Sequence, residues 1–224
     1  MNAERPDLAP LIDHAQLDPL AGRDAIERCC DEARHFGFAG VCVASRWVAH
    51  ARERLPRSGG GALPRLVSVI GFPFGAVAAS LKRAEAELAA EQGADELDVV
   101  PDFGALADRD STQLHADLAA VADVGLPFKV ILEAGKLTPE ALELLVEVSI
   151  DAGASFLKTG SGFGPAATVT QVQTLRQLAR GRAAVKASGG IADFEAALAL
   201  VTAGATRLGT SRGVALMETL RAGA

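Results

Sequence analysis

Eight short apolar runs, each followed by a longer segment with helical periodicity, constrain the fold of this chain more than any other feature. Strands that alternate with helices in this way pair in parallel. Eight strands are the number that closes a (β/α)₈ barrel, and 224 residues lie near the short end for that fold. We therefore predict an α/β protein with one TIM-barrel domain over residues 1–224. The predicted strands are LIDH (11–14), GVCVA (40–44), RLVSVIG (65–71), ELDVV (96–100), FKVILE (128–133), SFLKT (155–159), AAVKAS (183–188) and TRLGTS (206–211).

The segments between the strands are rich in Ala and Leu, as in SLKRAEAELAAEQ (80–92) and TPEALELLVEVSIDAG (138–153). The second of these offers Thr138 as an N-cap and Pro139 at the first helical position. A doubly wound open sheet is the structural alternative, but the first strand is not followed by the GxGxxG pattern of dinucleotide-binding folds. The Gly- and Pro-rich stretch 54–64 is predicted to be an exposed loop.

Composition and charge argue against several classes of partner. The net charge is −6 with mixed signs along the chain, and no basic patch is interleaved with aromatic residues, so we expect no nucleic-acid partner. No apolar run approaches the roughly 20 residues that span a bilayer, so we expect no membrane partner. The three cysteines lack CxxC spacing, and MNAERPDLAP does not resemble a secretory signal. Reduced thiols and a cytoplasmic location are therefore expected.

Ionisable residues cluster near the predicted strand ends, which is where a barrel builds its active site. Because side chains alternate along a strand, Glu96 and Asp98 share one face, and so do Lys129 and Glu133. Charged side chains on one face of otherwise apolar strands indicate a polar centre. The residues placed near strand ends are Asp13, Cys42, Asp98, Glu133, Lys158, Lys186, Thr210 and Ser211.

Lys158, in the stretch FLKTGSGF, ends an apolar run just before small and polar residues. Two lysines in a water-poor pocket disfavour each other's charged form, so with Lys186 nearby we expect the pKa of one amine to fall. That amine would attack an aldehyde or ketone to give an imine, with Asp98 carrying protons. The residues leave one alternative open: a structural ion network in which both lysines pair with Asp98, Glu133 or Asp13.

A second pattern suits a phosphate group. KASGGI (186–191) and RLGTSRG (207–213) each place glycines and small hydroxyl residues between a strand end and a helix start. Backbone N–H groups exposed at such positions bind anions. In barrels the phosphate site commonly lies on the loops after the last two strands, which are these two.

Taken together, these motifs resemble the deoxyribose-phosphate aldolase family. The resemblance implies a (β/α)₈ barrel that reversibly cleaves 2-deoxy-D-ribose 5-phosphate to acetaldehyde and D-glyceraldehyde 3-phosphate. It implies small phosphorylated sugars and aldehydes as partners, a homodimer, and neither a metal nor an organic cofactor. The matching pieces, in family order, are LIDHAQLDP (11–19), GVCVAS (40–45), VSVIGFPFGA (67–76), GADELDVV (93–100), KVILEAGKL (129–137), FLKTGSGF (156–163), VKASGGI (185–191) and GATRLGTSRG (204–213).

The resemblance also implies roles for individual residues. Lys158 matches the lysine that forms the Schiff base, Lys186 the second lysine that lowers its neighbour's pKa and assists proton transfer, and Asp98 the acid/base aspartate. The chain departs from the family pattern at Gly160, Ala192 and Arg212, which leaves its substrate preference and phosphate affinity open. The alternatives are a Schiff-base barrel aldolase for another phosphosugar or aldehyde and a non-catalytic sugar-phosphate-binding barrel. Gly189, Gly190 and Ser211 match the positions that hold the substrate phosphate in the family. We also expect Gly209 and Arg212 to bind the phosphate, and Asp13, Cys42, Lys129 and Thr159 to line the site.

Overall fold

A computed structural model describes residues 6–55 and 64–222, and these residues form a closed barrel of eight parallel strands in sequential order. The first strand closes onto the last through register pairs that run from Ile12–Leu208 to His14–Thr210. The predicted (β/α)₈ fold is confirmed, whereas most of the predicted loop at 54–64 lies outside the described residues. The strands are β1 Ile12–Gln16, β2 Gly40–Ala44, β3 Arg65–Ile70, β4 Glu96–Val99, β5 Phe128–Ile131, β6 Phe156–Lys158, β7 Ala184–Ser188 and β8 Arg207–Thr210.

Helices cover the outside of the barrel. Thr138 caps its helix as predicted, because its Oγ1 accepts a hydrogen bond from the backbone N–H of Ala141 at 3.3 Å. Single 3₁₀ turns lie at Ala9–Leu11, Ser45–Trp47 and Ala134–Lys136. The helices are α1 Arg23–Phe36, α2 Val48–Arg54, α3 Ala79–Glu91, α4 Phe103–Ala107, α5 Ser111–Ala122, α6 Pro139–Asp151, α7 Val169–Ala179, α8 Phe194–Thr202 and α9 Gly213–Ala222.

Alternation along the strands separates two environments. Outward side chains such as Val41, Leu66 and Leu97 belong to the large apolar core between strands and helices. Inside the barrel, a small apolar cluster of Cys42, Val67 and Val69 lies on β2 and β3. The inward positions of β4, β5, β6 and β7 carry charged side chains instead: Glu96, Asp98, Lys129, Lys158 and Lys186.

Strand ends differ from the predictions by one or two residues at most positions. The predicted strand at 128–133 ends at Ile131, and Glu133 adopts a left-handed conformation with φ 49°. Side-chain alternation therefore does not extend to Glu133, and the expectation that it shares the inner face with Lys129 is wrong. None of the described helices combines the length and the apolar character needed to cross a membrane.

Candidate active site

A cavity of about 520 Å³ opens at the carboxyl ends of β1, β6, β7 and β8. Lys158 and Lys186 lie in its floor, and Asp13 and Cys42 also contribute to its wall. A larger groove of about 680 Å³ lies outside the barrel between α4 and α6, and its lining is mainly apolar. Because the groove contains neither lysine, we place the site in the smaller cavity.

The barrel brings the two predicted lysines and Asp98 together. Lys158 is the last residue of β6 and is the register neighbour of Lys186 on β7. The Nζ atoms of both lysines donate to one oxygen of Asp98, Oδ2, at 2.9 and 2.8 Å. Lys158 is 2% exposed, Lys186 1% and Asp98 0%, so this contact is shielded from bulk water.

Further charges extend this contact into a closed ring below the cavity. Lys129 Nζ lies 3.0 Å from Asp98 Oδ1 and 2.5 Å from Glu96 Oε2. On the other side, Lys186 Nζ lies 2.5 Å from Asp13 Oδ2. Arg207 closes the ring, 2.8 Å from Asp13 and 3.8 Å from Glu96. In order, the ring of alternating charge is Glu96, Lys129, Asp98, Lys186, Asp13 and Arg207.

Charge counting distinguishes Lys158 from the ring members. The ring holds three carboxylates and three cations and is therefore neutral, while Lys158 is attached to it as an additional amine through Asp98. Arg65 also contacts Glu96, but its side chain is 42% exposed and its charge is solvated. A buried net charge is costly. Among the described interior residues, Lys158 is thus the amine that stands outside this charge balance.

The pKa values follow from burial and the number of opposing charges. Burial raises the pKa of Asp13, but Lys186, Lys129 and Arg207 outweigh it and lower this pKa to about 2. For Asp98, burial is likewise outweighed by Lys129, Lys158 and Lys186, which hold its pKa well below the usual range. Both carboxylates are therefore ionised.

Lys186 is held as an ammonium group. Burial alone would lower its pKa, but Asp13 and Asp98 outweigh burial and raise it above the usual value. The fall in pKa that we expected for one amine therefore does not occur at Lys186. The ion network that the sequence left open as an alternative also exists, through Asp98 and Asp13. The described contacts of Glu133 are with Ser161 and Lys136, so Glu133 does not belong to this network.

Some predicted residues lie deeper than the strand ends. Asp13 is the second residue of β1, and Lys129 is the second residue of β5. The cavity lining contains neither Lys129 nor Thr159. Thr159 Oγ1 accepts from Ser188 N–H at 2.9 Å and donates to Ser188 O at 3.0 Å, which ties β6 to β7. Burial raises the pKa of Cys42 to about 11, so its sulfur is a thiol.

Glycines shape the rim of the cavity near β7 and β8. Gly190 has φ 67°, and a Cβ there would lie 2.5 Å from Ala166 Cβ. At Gly209 a Cβ would lie 2.7 Å from Ser188 Oγ. Ser211 and Arg212 follow, just before α9, and both line the cavity while remaining exposed. The predicted phosphate-binding residues thus lie together at the mouth.

The sequence did not point to Arg207. One signal was present, since Arg207 and Gly209 alternate onto the same face of β8, and Gly209 is the register partner of Asp13. A charged residue two positions before a cavity residue on an apolar strand is itself a candidate for the barrel interior. What the sequence lacked was the partner, because Asp13 lies 194 residues away.

This fold and this site are typical of the class of barrel aldolases that act through a lysine. No family model matches the chain. It is 49% identical to the deoxyribose-phosphate aldolase of Thermosynechococcus vestitus over 95% of this chain and 96% of that protein, and 45% identical to that of Thermus thermophilus over 94% and 96%. The chain belongs to the deoxyribose-phosphate aldolase family.

Solved structures agree with this assignment. An aldolase designated QR15 superimposes with a TM-score of 0.89 at 34% identity, covering 96% of both chains. The deoxyribose phosphate aldolase of Aeropyrum pernix, described as tetrameric, superimposes with a TM-score of 0.84 at 32% identity, covering 97% of this chain and 92% of that one.

Proposed function

We propose that this chain reversibly cleaves 2-deoxy-D-ribose 5-phosphate to acetaldehyde and D-glyceraldehyde 3-phosphate through an imine on Lys158. Membership of the family supports the reaction. The observation that carries the choice of nucleophile is the neutral charge ring, which leaves Lys158 as the surplus amine on the cavity floor. Lys186, held as an ammonium between Asp13 and Asp98, supplies the positive charge beside it.

The first steps form the imine. Neutral Lys158 attacks the aldehyde carbon of the open-chain sugar, and the resulting carbinolamine loses water once its hydroxyl has gained a proton. The product is a protonated imine whose positive charge lies next to the Asp98 carboxylate. A carboxylate already fixed at this position stabilises the cation without reorganisation.

Carbon–carbon cleavage follows because the protonated imine accepts electrons. Removal of the proton from the 3-hydroxyl breaks the bond between carbons 2 and 3, releases glyceraldehyde 3-phosphate and leaves an enamine. Protonation of the enamine carbon and hydrolysis then release acetaldehyde and free Lys158. We assign the proton transfers to Asp98 and Lys186 acting as a pair through their 2.8 Å hydrogen bond, directly or by way of water.

The phosphate group is proposed to bind at the rim formed by Gly189, Gly190, Gly209, Ser211 and Arg212. Lys158 and Lys186 are already engaged by Asp98, so Arg212 is the cation of the lining that faces the mouth without a described ion pair. Arg212→Ser should therefore raise KM for 2-deoxyribose 5-phosphate more than for unphosphorylated 2-deoxyribose, as steady-state kinetics on both sugars would test.

The mechanism assigns no step to a metal or an organic cofactor. Homodimerisation and a cytoplasmic location stay predictions, and the tetramer described for the Aeropyrum pernix relative makes sedimentation analysis informative.

The test of the proposed function is borohydride reduction in the presence of 2-deoxyribose 5-phosphate, followed by peptide mass mapping. A reduced adduct on Lys158 is expected, and the fully buried Lys82 serves as an internal control that stays unmodified. An adduct on Lys186 would keep the lysine-dependent chemistry but overturn the role assignment. No adduct with this sugar or with acetaldehyde would favour a different carbonyl substrate or a barrel that only binds.

A further inference from the structure

Glu133 lies just after β5 in a backbone conformation that glutamate seldom adopts, with φ 49° and ψ 44°. Such strain persists only where neighbouring contacts hold it, and it is frequent at functional sites. Both flanks of Glu133 are held by the segment that carries the proposed nucleophile. The N–H of Leu132 donates to Lys158 O, and the N–H of Ala134 donates to Thr159 O, each at 2.9 Å.

The carboxylate of Glu133 reaches the loop that follows Lys158. Its Oε1 accepts a hydrogen bond from the backbone N–H of Ser161 at 2.6 Å, and its side chain is 6% exposed. Burial raises the pKa of Glu133, but its contacts with Ser161 and Lys136 outweigh burial and lower it. Glu133 is therefore an ionised acceptor, which makes a stronger hydrogen bond than a neutral one.

The loop and the carboxylate fit each other closely. A Cβ at Gly164 would lie 2.1 Å from Glu133 Oε2, so a side chain at this position would displace the carboxylate. Within the loop, the N–H of Phe163 donates to Ser161 Oγ at 3.1 Å. Glu133 thus lies behind residues 161–164, on the side away from the cavity.

The opposite side of the loop faces the substrate cavity. Ser161, Gly162 and Phe163 all line it. Gly162 also abuts Gly189, where a Cβ would lie 3.6 Å from Gly162 N. Since Gly189 belongs to the proposed phosphate-binding rim, the loop supported by Glu133 borders the end of the cavity that receives the phosphate.

We propose that Glu133 is a positioning residue that holds residues 161–164 in the shape that receives the phosphorylated end of the substrate. It acts through Ser161 and touches none of the reacting atoms. The inference rests on the proposed function, because it assumes that the phosphorylated sugar occupies this cavity. Imine formation between Lys158 and a two-carbon aldehyde does not need the loop, so binding and imine chemistry should respond differently to changes at Glu133.

The test compares Glu133→Ala with Glu133→Gln, whose amide oxygen still accepts from Ser161 N–H. We expect Glu133→Ala to raise KM for 2-deoxyribose 5-phosphate roughly tenfold, the effect of one lost charge-assisted hydrogen bond, and to speed amide exchange in residues 159–164. Glu133→Gln keeps a neutral acceptor for the same N–H, so its KM should lie between those of wild type and Glu133→Ala, about threefold above wild type. Borohydride trapping of acetaldehyde on Lys158 should persist in both variants.

Two further variants control for the ion pair and for folding. Lys136→Gln removes the 3.1 Å ion pair with Glu133 but leaves the bond to Ser161, and it should behave like wild type. Gly164→Ala displaces the carboxylate while keeping Glu133, and it should raise KM as Glu133→Ala does.

Two results would overturn the inference: an unchanged KM and unchanged exchange in Glu133→Ala, or a KM for Glu133→Gln as high as that of Glu133→Ala. Failure of the proposed function looks different, because wild type itself would then give no reduced adduct on Lys158. In that case, the rate of amide hydrogen exchange in residues 159–164 would still show whether Glu133 holds the loop.

Discussion

Two buried lysine–carboxylate contacts in this molecule have nearly the same geometry and opposite surroundings. Lys82 on α3 lies 2.7 Å from Asp117 on α5, and both side chains are at most 1% exposed. Lys158 on β6 lies 2.9 Å from Asp98 on β4 and is equally buried. Among the described residues, Lys82 and Asp117 form an ion pair with each other alone, whereas Asp98 is shared by three lysines.

This difference reverses the direction of the carboxylate pKa. Burial raises the pKa of Asp117, and the single cation Lys82 does not overcome it. At Asp98 burial acts in the same direction, but three lysines outweigh it. A lone buried pair therefore balances only its own charge, whereas a network can hold carboxylates ionised and leave one amine in surplus beside a cavity.

The pair on the helices has a structural role of its own. Asp117 Oδ2 also accepts a hydrogen bond from the backbone N–H of Asp102 at 2.9 Å, which anchors the connection that follows β4. Asp98 is only four residues earlier in the chain. The Lys82–Asp117 pair therefore fixes the outer layer next to the strand that carries Asp98, without reaching the cavity.

Removing each lysine in turn is the most direct test of the difference between the Lys158–Asp98 and Lys82–Asp117 contacts. Lys158→Met should lower kcat/KM by at least about 10⁴-fold, since it deletes the proposed covalent nucleophile, and it should abolish borohydride trapping. Because the remaining ring is neutral, this variant should keep wild-type stability. Steady-state kinetics and urea unfolding of the same preparation measure both properties. A large loss of stability would show that Lys158 is needed to balance the ring.

Lys82→Met should have the converse effect. It leaves the Asp117 carboxylate buried without its cation, which we expect to lower the free energy of unfolding by about 3–5 kcal/mol. The activity of the folded fraction should be unchanged. Urea unfolding followed by the fluorescence of Trp47, the one tryptophan of the chain, measures the loss.

The double variant Lys82→Met/Asp117→Asn should regain part of that stability, because it removes the unpaired charge and keeps an acceptor for the Asp102 N–H. A double variant as unstable as Lys82→Met would indicate that the lysine stem, not the charge, supplies the stabilisation.

A smaller effect is expected when one of the three lysines around Asp98 is removed, which should shift the pKa of Asp98 in the direction found for Asp117. Lys129→Met removes the cation with the largest effect on the Asp98 pKa, which should rise. Protonation of Asp98 would then remove activity at a higher pH. We expect the acid limb of the kcat/KM profile to move to higher pH. If the acid limb does not move, the group whose protonation causes that limb is not Asp98.

The smallest expected effect concerns stability in acid. The folded-state pKa of Asp13 is depressed from 3.8 to about 2, so its stabilisation is complete above about pH 4 and is lost as the pH falls through 2. It amounts to roughly 2 kcal/mol. Asp13→Asn should therefore flatten the dependence of unfolding free energy on pH between 4 and 2.

Asp117→Asn is the control for this measurement. The folded-state pKa of Asp117 is raised, so its favourable contribution lies at low pH and is lost as the pH rises through that value. The slope between pH 4 and 2 should be preserved in this variant. An equal flattening in both variants would contradict the difference between the two sites.

Much of this protein could be predicted from local pattern. The alternation of strand and helix follows from periodicity, the Thr138 cap from residue type, and the common face of Glu96 and Asp98 from the two-residue repeat of a strand. Local pattern failed at Glu133, because the strand ended two residues earlier and the backbone turned into a left-handed conformation. No run of side chains signals such a turn when the residue is not glycine.

Local pattern along the chain was enough to place the eight strands to within two residues at each end and to show which side chains alternate together, since these properties depend on neighbours along the chain. The contact of Lys186 with Asp13 spans 173 residues, the contact of Arg207 with the same carboxylate spans 194, and neither could be read from the order of residues along the chain. Those contacts depend on the stagger with which eight strands close. The balance of charge that leaves Lys158 as the surplus amine exists only once the barrel is shut.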